Sequence, residues 1–169
     1  MKKHLLSLVA VFAACVCTAA EVNILTTDFK GDKLPDSWSF NTYKTYLPLT
    51  TIVDAGEGVA FCDAPAAGTS FFTRKMFVVG KDTLFRVRIT AKGNGSFKIG
   101  SRCYTAKWAF AGAKFQAPQA LTGEWKTYEF QIAVPVFPNK DAVERMGIQI
   151  EFPANTELQL RNITIDKVQ

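Results

Sequence analysis

Histidine occurs once in the 169 residues, at His4, in an N-terminal segment that is not expected to survive export. Without it the chain has no Ser-His-Asp or Cys-His catalysis and no histidine-ligated zinc, copper or iron. Glycine-rich phosphate loops and other short cofactor motifs are missing too, so no cofactor is expected. No run of four basic residues occurs, and the positive charges are scattered. Nucleic acid is therefore not an expected partner. Amphipathic helical periodicity is absent as well, which leaves period-2 alternation as the organising pattern.

The one long apolar run is at the start, "MKKHLLSLVAVFAACVCTAA". Two lysines precede it and small residues, Thr18, Ala19 and Ala20, close it. This is the pattern of a secretory signal peptide over residues 1–20. The rivals are a membrane anchor, for which the run is short, and a lipoprotein signal ending at Cys15, where Phe12 stands in place of the usual Leu. Cleavage after Ala20 leaves Glu21 to Gln169 as one domain, long enough for a real core and with no transmembrane segment. Losing Lys2 and Lys3 leaves 18 basic residues against 15 acidic, a net charge of +3. The expected location is the periplasm, the cell surface or the medium. Oligomeric state is not readable.

Four cysteines occur, and Cys15 and Cys17 leave with the leader. Cys62 and Cys103 remain. Two cysteines in an exported chain suggest one disulfide, closing a loop of about 40 residues worth roughly 4 kcal/mol of chain entropy. Two buried free thiols are the alternative. A metal site needs more ligands than this pair offers.

Short alternating segments are bounded by Gly, Asn, Asp and Pro. Tyr128, Phe130, Ile132 and Val134 share one parity, against Thr127, Glu129 and Gln131. Met146, Ile148, Ile150 and Phe152 oppose Gln149 and Glu151; Phe85, Val87 and Ile89 oppose Arg86 and Arg88. Nine or ten such strands predict an all-β fold, a two-sheet antiparallel sandwich. The last segment, "ELQLRNITIDKV", changes phase: Leu158 and Leu160 have one parity, Ile163 and Ile165 the other. Either a bulge at Arg161-Asn162 returns both pairs to the core, or both faces of that strand are buried.

Three stretches in order, "NILTTDFKGDKLPDSW", "LTGEWKTYEFQIAV" and "ELQLRNITIDKV", resemble the jelly-roll, galactose-binding-like carbohydrate-binding modules of secreted bacterial polysaccharide-degrading enzymes. The resemblance implies jelly-roll topology and a glycan partner. It also implies a mainly structural Trp125. Many members carry carboxylates near a structural calcium ion; here Lys30 and Arg161 stand at those places, against what a hard cation needs. Asp28, Asp32 and Asp166 are the residues from which a displaced site would have to be built.

Aromatic faces stack on pyranose rings, so Trp38, in a loop with Tyr43 and Tyr46 close behind, and Trp108, in an aromatic loop, are ligand candidates. Arg102, Tyr104 and Lys107 surround Trp108. On the polar strand faces Arg88, Glu129, Gln149 and Glu151 are candidates to line a groove. For each, a core ring or a plain solvated face is the competing assignment. Non-catalytic glycan binding is the leading expectation. A structural or protein-binding sandwich at the cell surface is the alternative. A lesser one is an enzyme: a glycoside hydrolase using Glu129 with Glu151, or a lyase with Tyr104 as proton donor.

Overall fold

A computed structural model describes residues 20–42, 50–62, 68–138 and 140–168. The proposed leader, apart from Ala20, and Tyr43 and Tyr46 lie outside the described residues. Among the described residues there are thirteen strands and no helix, hence no helix long and apolar enough to cross a membrane. The strands form two antiparallel sheets in a β-sandwich of jelly-roll type.

The first sheet contains β1 (Glu21–Asp28), β3 (Thr51–Asp54), β4 (Val59–Cys62), β7 (Leu84–Asn94), β11 (Lys126–Ala133) and β13 (Glu157–Val168). Its order is β11-β7-β13-β4-β3, with β1 also on β13. The second contains β2 (Trp38–Phe40), β5 (Thr69–Thr73), β6 (Phe77–Val78), β8 (Ser96–Tyr104), β9 (Phe110–Phe115), β10 (Gln119–Ala120) and β12 (Arg145–Phe152). Its order is β10-β8-β12-β5-β2, with β6 on β12 and β9 on β8.

Parity decides the interior. Phe85, Val87 and Ile89 of β7 are buried with Tyr128, Phe130 and Ile132 of β11; from the other sheet Phe97, Ile99, Met146, Ile148, Ile150 and Phe152 meet them. Phe61 and Phe71 stack across the two sheets with centroids 5.4 Å apart, and Phe97 meets Tyr128 edge-on at 5.2 Å. Each such side chain is worth about 1.5–3 kcal/mol on burial, and the ring pairs somewhat more.

The phase change in β13 is a bulge. Leu160 pairs Ala91 of β7 and Asn162 pairs Thr90, so Arg161 is the extra residue. Leu158, Leu160, Ile163 and Ile165 are consequently all buried. The bulged Arg161 turns out, and its carbonyl accepts the Phe29 N–H at 2.9 Å.

Three expectations are corrected. Trp38 is not a ligand-facing residue: it is fully buried, its indole N–H donates to Thr27 Oγ1 at 3.1 Å, and it meets Phe71 edge-on at 5.3 Å. A short strand, β2, rather than a loop delivers it, on the parity that faces inward opposite Thr73. The aromatic loop is a tight hairpin, because "FAGAKF" pairs with β8 as β9. Cys62 and Cys103 remain free thiols. Cys62 lies on the outward parity of the first sheet, while Cys103 points inward from the second and donates to Ser101 Oγ at 3.5 Å. Packed sheets lie about 10 Å apart, whereas a disulfide spans only about 4 Å between Cβ atoms.

Burial pushes the Cys103 thiol up from its ordinary pKa, with the Ser101 hydrogen bond opposing weakly. A buried thiol held protonated is a poor nucleophile. A thiol-specific chromogenic reagent at mild alkaline pH should therefore titrate Cys62 in the folded protein and Cys103 only after unfolding. A folded and unfolded protein that both give no reaction, with a linked Cys62–Cys103 peptide, would overturn this assignment.

Candidate functional site

The outward parity of the second sheet collects most of the candidates. Arg102 and Tyr104 project from β8; Gln149 and Glu151 belong to the same parity of β12, with Arg145 at its start. The register sets Tyr104 beside Arg145 on one side and Phe110 of β9 on the other. Arg102 lies opposite Gly147 and reaches across β12 to Phe72 of β5, its guanidinium 4.6 Å from that ring centre. The same guanidinium is 5.6 Å from the rings of Tyr104 and of Phe110, and its Nε donates to the Tyr104 hydroxyl. A cavity of about 270 Å³ opens beside it, lined by Phe40, Asn41, Thr42, Phe72 and Arg102.

Trp108 stands at one end of this face. Its N–H donates to the Thr105 carbonyl at 3.0 Å, and the Thr105 N–H to the Ala109 carbonyl at 3.0 Å. The turn closes the β8–β9 hairpin, with a register shift at Cys103/Tyr104. The residue that follows such a turn takes the left-handed conformation and is ordinarily glycine. Here it is tryptophan, at φ 62° and 59% exposed. For a bulky residue this costs about 1–2 kcal/mol. Arg145 offsets part of that: its guanidinium covers the indole at 4.5 Å, and its Nη1 donates to the Ala106 carbonyl at 2.8 Å. Tyr104 and Trp108 lie 6.2 Å apart, Tyr104 and Phe110 5.6 Å, and Phe110 is 54% exposed. Lys107 is exposed at the hairpin tip.

The expected four-residue groove does not form. Arg88 and Glu129 are register partners on the outer face of the first sheet, while Gln149 and Glu151 belong to the second. Arg88 is closed by Asp166 and Glu21, and Arg86 by Glu21 and Glu129. Gln149 is buried and donates to Ser70 Oγ at 2.7 Å. Glu129 and Glu151 point away from each other across the whole sandwich, so they cannot flank one glycosidic bond, which requires about 5–9.5 Å between carboxyls. Asp28 accepts from Asn162 at 2.8 Å, and Asp166 from Asn23 and Arg88. Among the described residues no three carboxylate or thiol groups gather as metal ligands.

Trp125 is half-buried on the first sheet. Its indole N–H donates to Glu57 at 2.9 Å and Arg161 lies over its ring at 4.3 Å. Sequence reasoning missed Phe72, Phe110 and Arg145. Phe72 stands next to buried Phe71, so its opposite parity was the available signal; Arg145 has the parity of Gln149 and Glu151.

No protein-family model matches the chain, and no curated protein matches it by sequence. Solved structures do. A Clostridium thermocellum endo-1,4-β-D-xylanase 10B fragment, with CBM22-1 and GH10 modules and bound xylohexaose, matches at TM-score 0.64 and 13% identity over 87% of this chain. This chain spans only 28% of that one. The CBM22-1 xylan-binding domain of Paenibacillus barcinonensis Xyn10C matches at 0.61 and 12%, covering 89% of this chain and 97% of its own. A cyclase from Fischerella matches at 0.55 and 11%, covering 88% and 98%. The shared feature is the β-sandwich fold, used by carbohydrate-binding modules and by an enzyme alike, and fold alone names no ligand.

Because position 108 suits glycine, Trp108→Gly should leave thermal stability unchanged or raise it by about 1 kcal/mol. A loss of more than about 2 kcal/mol would mean that the ring holds the hairpin together.

Proposed function

We propose that this chain binds a carbohydrate without cleaving it, with sugar rings resting on Trp108, Tyr104 and Phe110 at the outer face of the second sheet. The observation that carries this reading is Trp108, a large exposed ring in a conformation that costs energy and that a smaller residue would adopt freely. Strain kept in a native structure is a pointer to function. Ring faces remove apolar C–H surface of a sugar from water, while Arg102 and Lys107 supply polar contacts to hydroxyls. Preorganisation by the hairpin and by Arg145 lowers the ordering cost of binding.

The carbohydrate-binding modules among the fold neighbours, one solved with xylohexaose and one called xylan-binding, support the class of ligand proposed. The export expected from the N-terminal sequence, itself part of this proposal, suits a glycan encountered at the cell surface or outside it. Catalysis is not part of the proposal, since the paired carboxylates nominated for it face opposite ways.

The test is affinity electrophoresis and calorimetry of the exported protein against a panel of soluble polysaccharides. At least one should bind with millimolar or tighter affinity, with no release of reducing or unsaturated ends. Trp108→Gly should weaken it by about tenfold or more while the protein stays folded. Failure to bind any polysaccharide, or binding untouched by that substitution, contradicts the proposal.

A further inference from the structure

The two arginines of the aromatic face differ from those of the first sheet; Arg74, just after β5, is likewise without an ion pair and donates to the Trp38 carbonyl at 2.9 Å. Arg86 and Arg88 are paired to Glu21, Glu129 and Asp166, and Arg161 to Glu57. Arg102 and Arg145 form no ion pair with any described carboxylate. Their guanidinium faces are spent on rings: Arg102 on Phe72, Tyr104 and Phe110, and Arg145 on Trp108. One hydrogen bond from Arg102 goes to Tyr104, and those from Arg145 go to the Thr105 and Ala106 carbonyls. Along the outward positions of β5, β8, β9 and β12 the charged residues are Lys98, Arg102, Arg145 and Glu151. Glu151 stands opposite Lys98 in register, towards the other end of the strands, and exposed Lys107 adds a positive charge beside Trp108. The aromatic end of the face therefore carries Arg102, Arg145 and Lys107 against one neighbouring exposed carboxylate, Glu144, whose N–H donates to the Tyr104 carbonyl and whose side chain is not paired to either arginine.

A guanidinium laid flat on aromatic rings keeps its edge for ligands. That edge matches the two oxygens of a carboxylate or of a sulfate in a bidentate pair, which a neutral hydroxyl does not reproduce. A neutral glycan would leave two partly desolvated positive charges uncompensated beside the bound rings. From the carbohydrate-binding reading, on which this step rests, we infer that the preferred ligand is an anionic glycan. Its acidic group, a uronate carboxylate or a sulfate ester, is held by Arg102 while neighbouring sugar rings stack on Tyr104, Trp108 and Phe110. Arg145 sets the Trp108 ring and adds positive field.

Matched polymers test this, because they change charge and not backbone. The exported protein is titrated with polygalacturonate and with its highly methyl-esterified form, and with dextran sulfate and dextran. The inference expects the charged member of at least one pair to bind at least about tenfold more tightly than its neutral counterpart, and the pair that does so identifies carboxylate or sulfate. Raising sodium chloride to about 0.5 M should erode that preference. Arg102→Gln should abolish it, and Arg102→Lys, which keeps the charge but not the fork, should restore it only in part, with each variant's unfolding temperature checked. Equal or tighter binding of neutral polymers, including neutral xylan, overturns the inference and leaves carbohydrate binding standing. A charge preference that survives both Arg102→Gln and Arg145→Gln overturns the assigned residues. No binding by any charged or neutral polymer overturns both readings.

Discussion

A β-strand offers each side chain two directions, and in this chain the space between the sheets claims one of them. The large residues of β7, β8, β11 and β12 on that side are buried. Everything on the other side depends on this division. An aromatic ring on the outward parity cannot reach the core without moving its whole strand by one residue, and that slip would expose the core set. Phe72, Tyr104 and Phe110 are outside because Phe71, Cys103 and Ala111 are inside. Among the described residues the ladders carry three irregularities, at Asn23/Leu25 in β1, the Arg161 bulge in β13 and the register shift that accompanies the Trp108 hairpin.

The two outer faces then solve the same electrostatic problem differently. On the first sheet arginines and carboxylates close on one another, and Trp125 is engaged by Glu57 and Arg161. Partly exposed pairs of this kind contribute little stability, but they leave none of the sheet's three arginines unpaired; Lys92 rests on the Trp125 ring at 4.9 Å without an ion pair. On the second sheet the arginines are held by rings and carbonyl oxygens. That arrangement fixes their position without neutralising them. A larger cavity, about 590 Å³, opens over Ala60, Cys62, Gly93 and Glu157 at the first sheet, yet it gathers neither exposed rings nor unpaired cations, so size alone does not mark the site.

Strand faces were legible in the sequence because alternation is local: Tyr128 with Phe130, Met146 with Ile148, and the phase change at Arg161 could each be read from a few neighbours. Sheet membership is not local. Nothing near Arg88 or Gln149 says that β7 pairs β11 and β13 while β12 pairs β5 and β8, so residues of opposite faces were grouped into one groove, and two cysteines of opposite sheets into one disulfide. Trp38 was misplaced because its short strand carries too few residues to display a parity. β9 was hidden because Ala111, Gly112 and Ala113 give no hydropathy contrast. Trp108 could be singled out by its company of Arg102, Tyr104 and Lys107, but its left-handed backbone exists only in the closed hairpin.

In the proposed mode of binding, one tryptophan of three meets the ligand. The chain contains three tryptophans, Trp38, Trp108 and Trp125. Their indole N–H signals can be resolved in a nitrogen-15 correlation spectrum and assigned by single substitutions to phenylalanine. On adding a polysaccharide that binds, the Trp108 signal should shift progressively, while those of Trp38, bonded to Thr27, and Trp125, bonded to Glu57, stay in place. A shift confined to Trp125, or an unchanged Trp108 at saturating ligand, would contradict ligand binding at the Trp108 face.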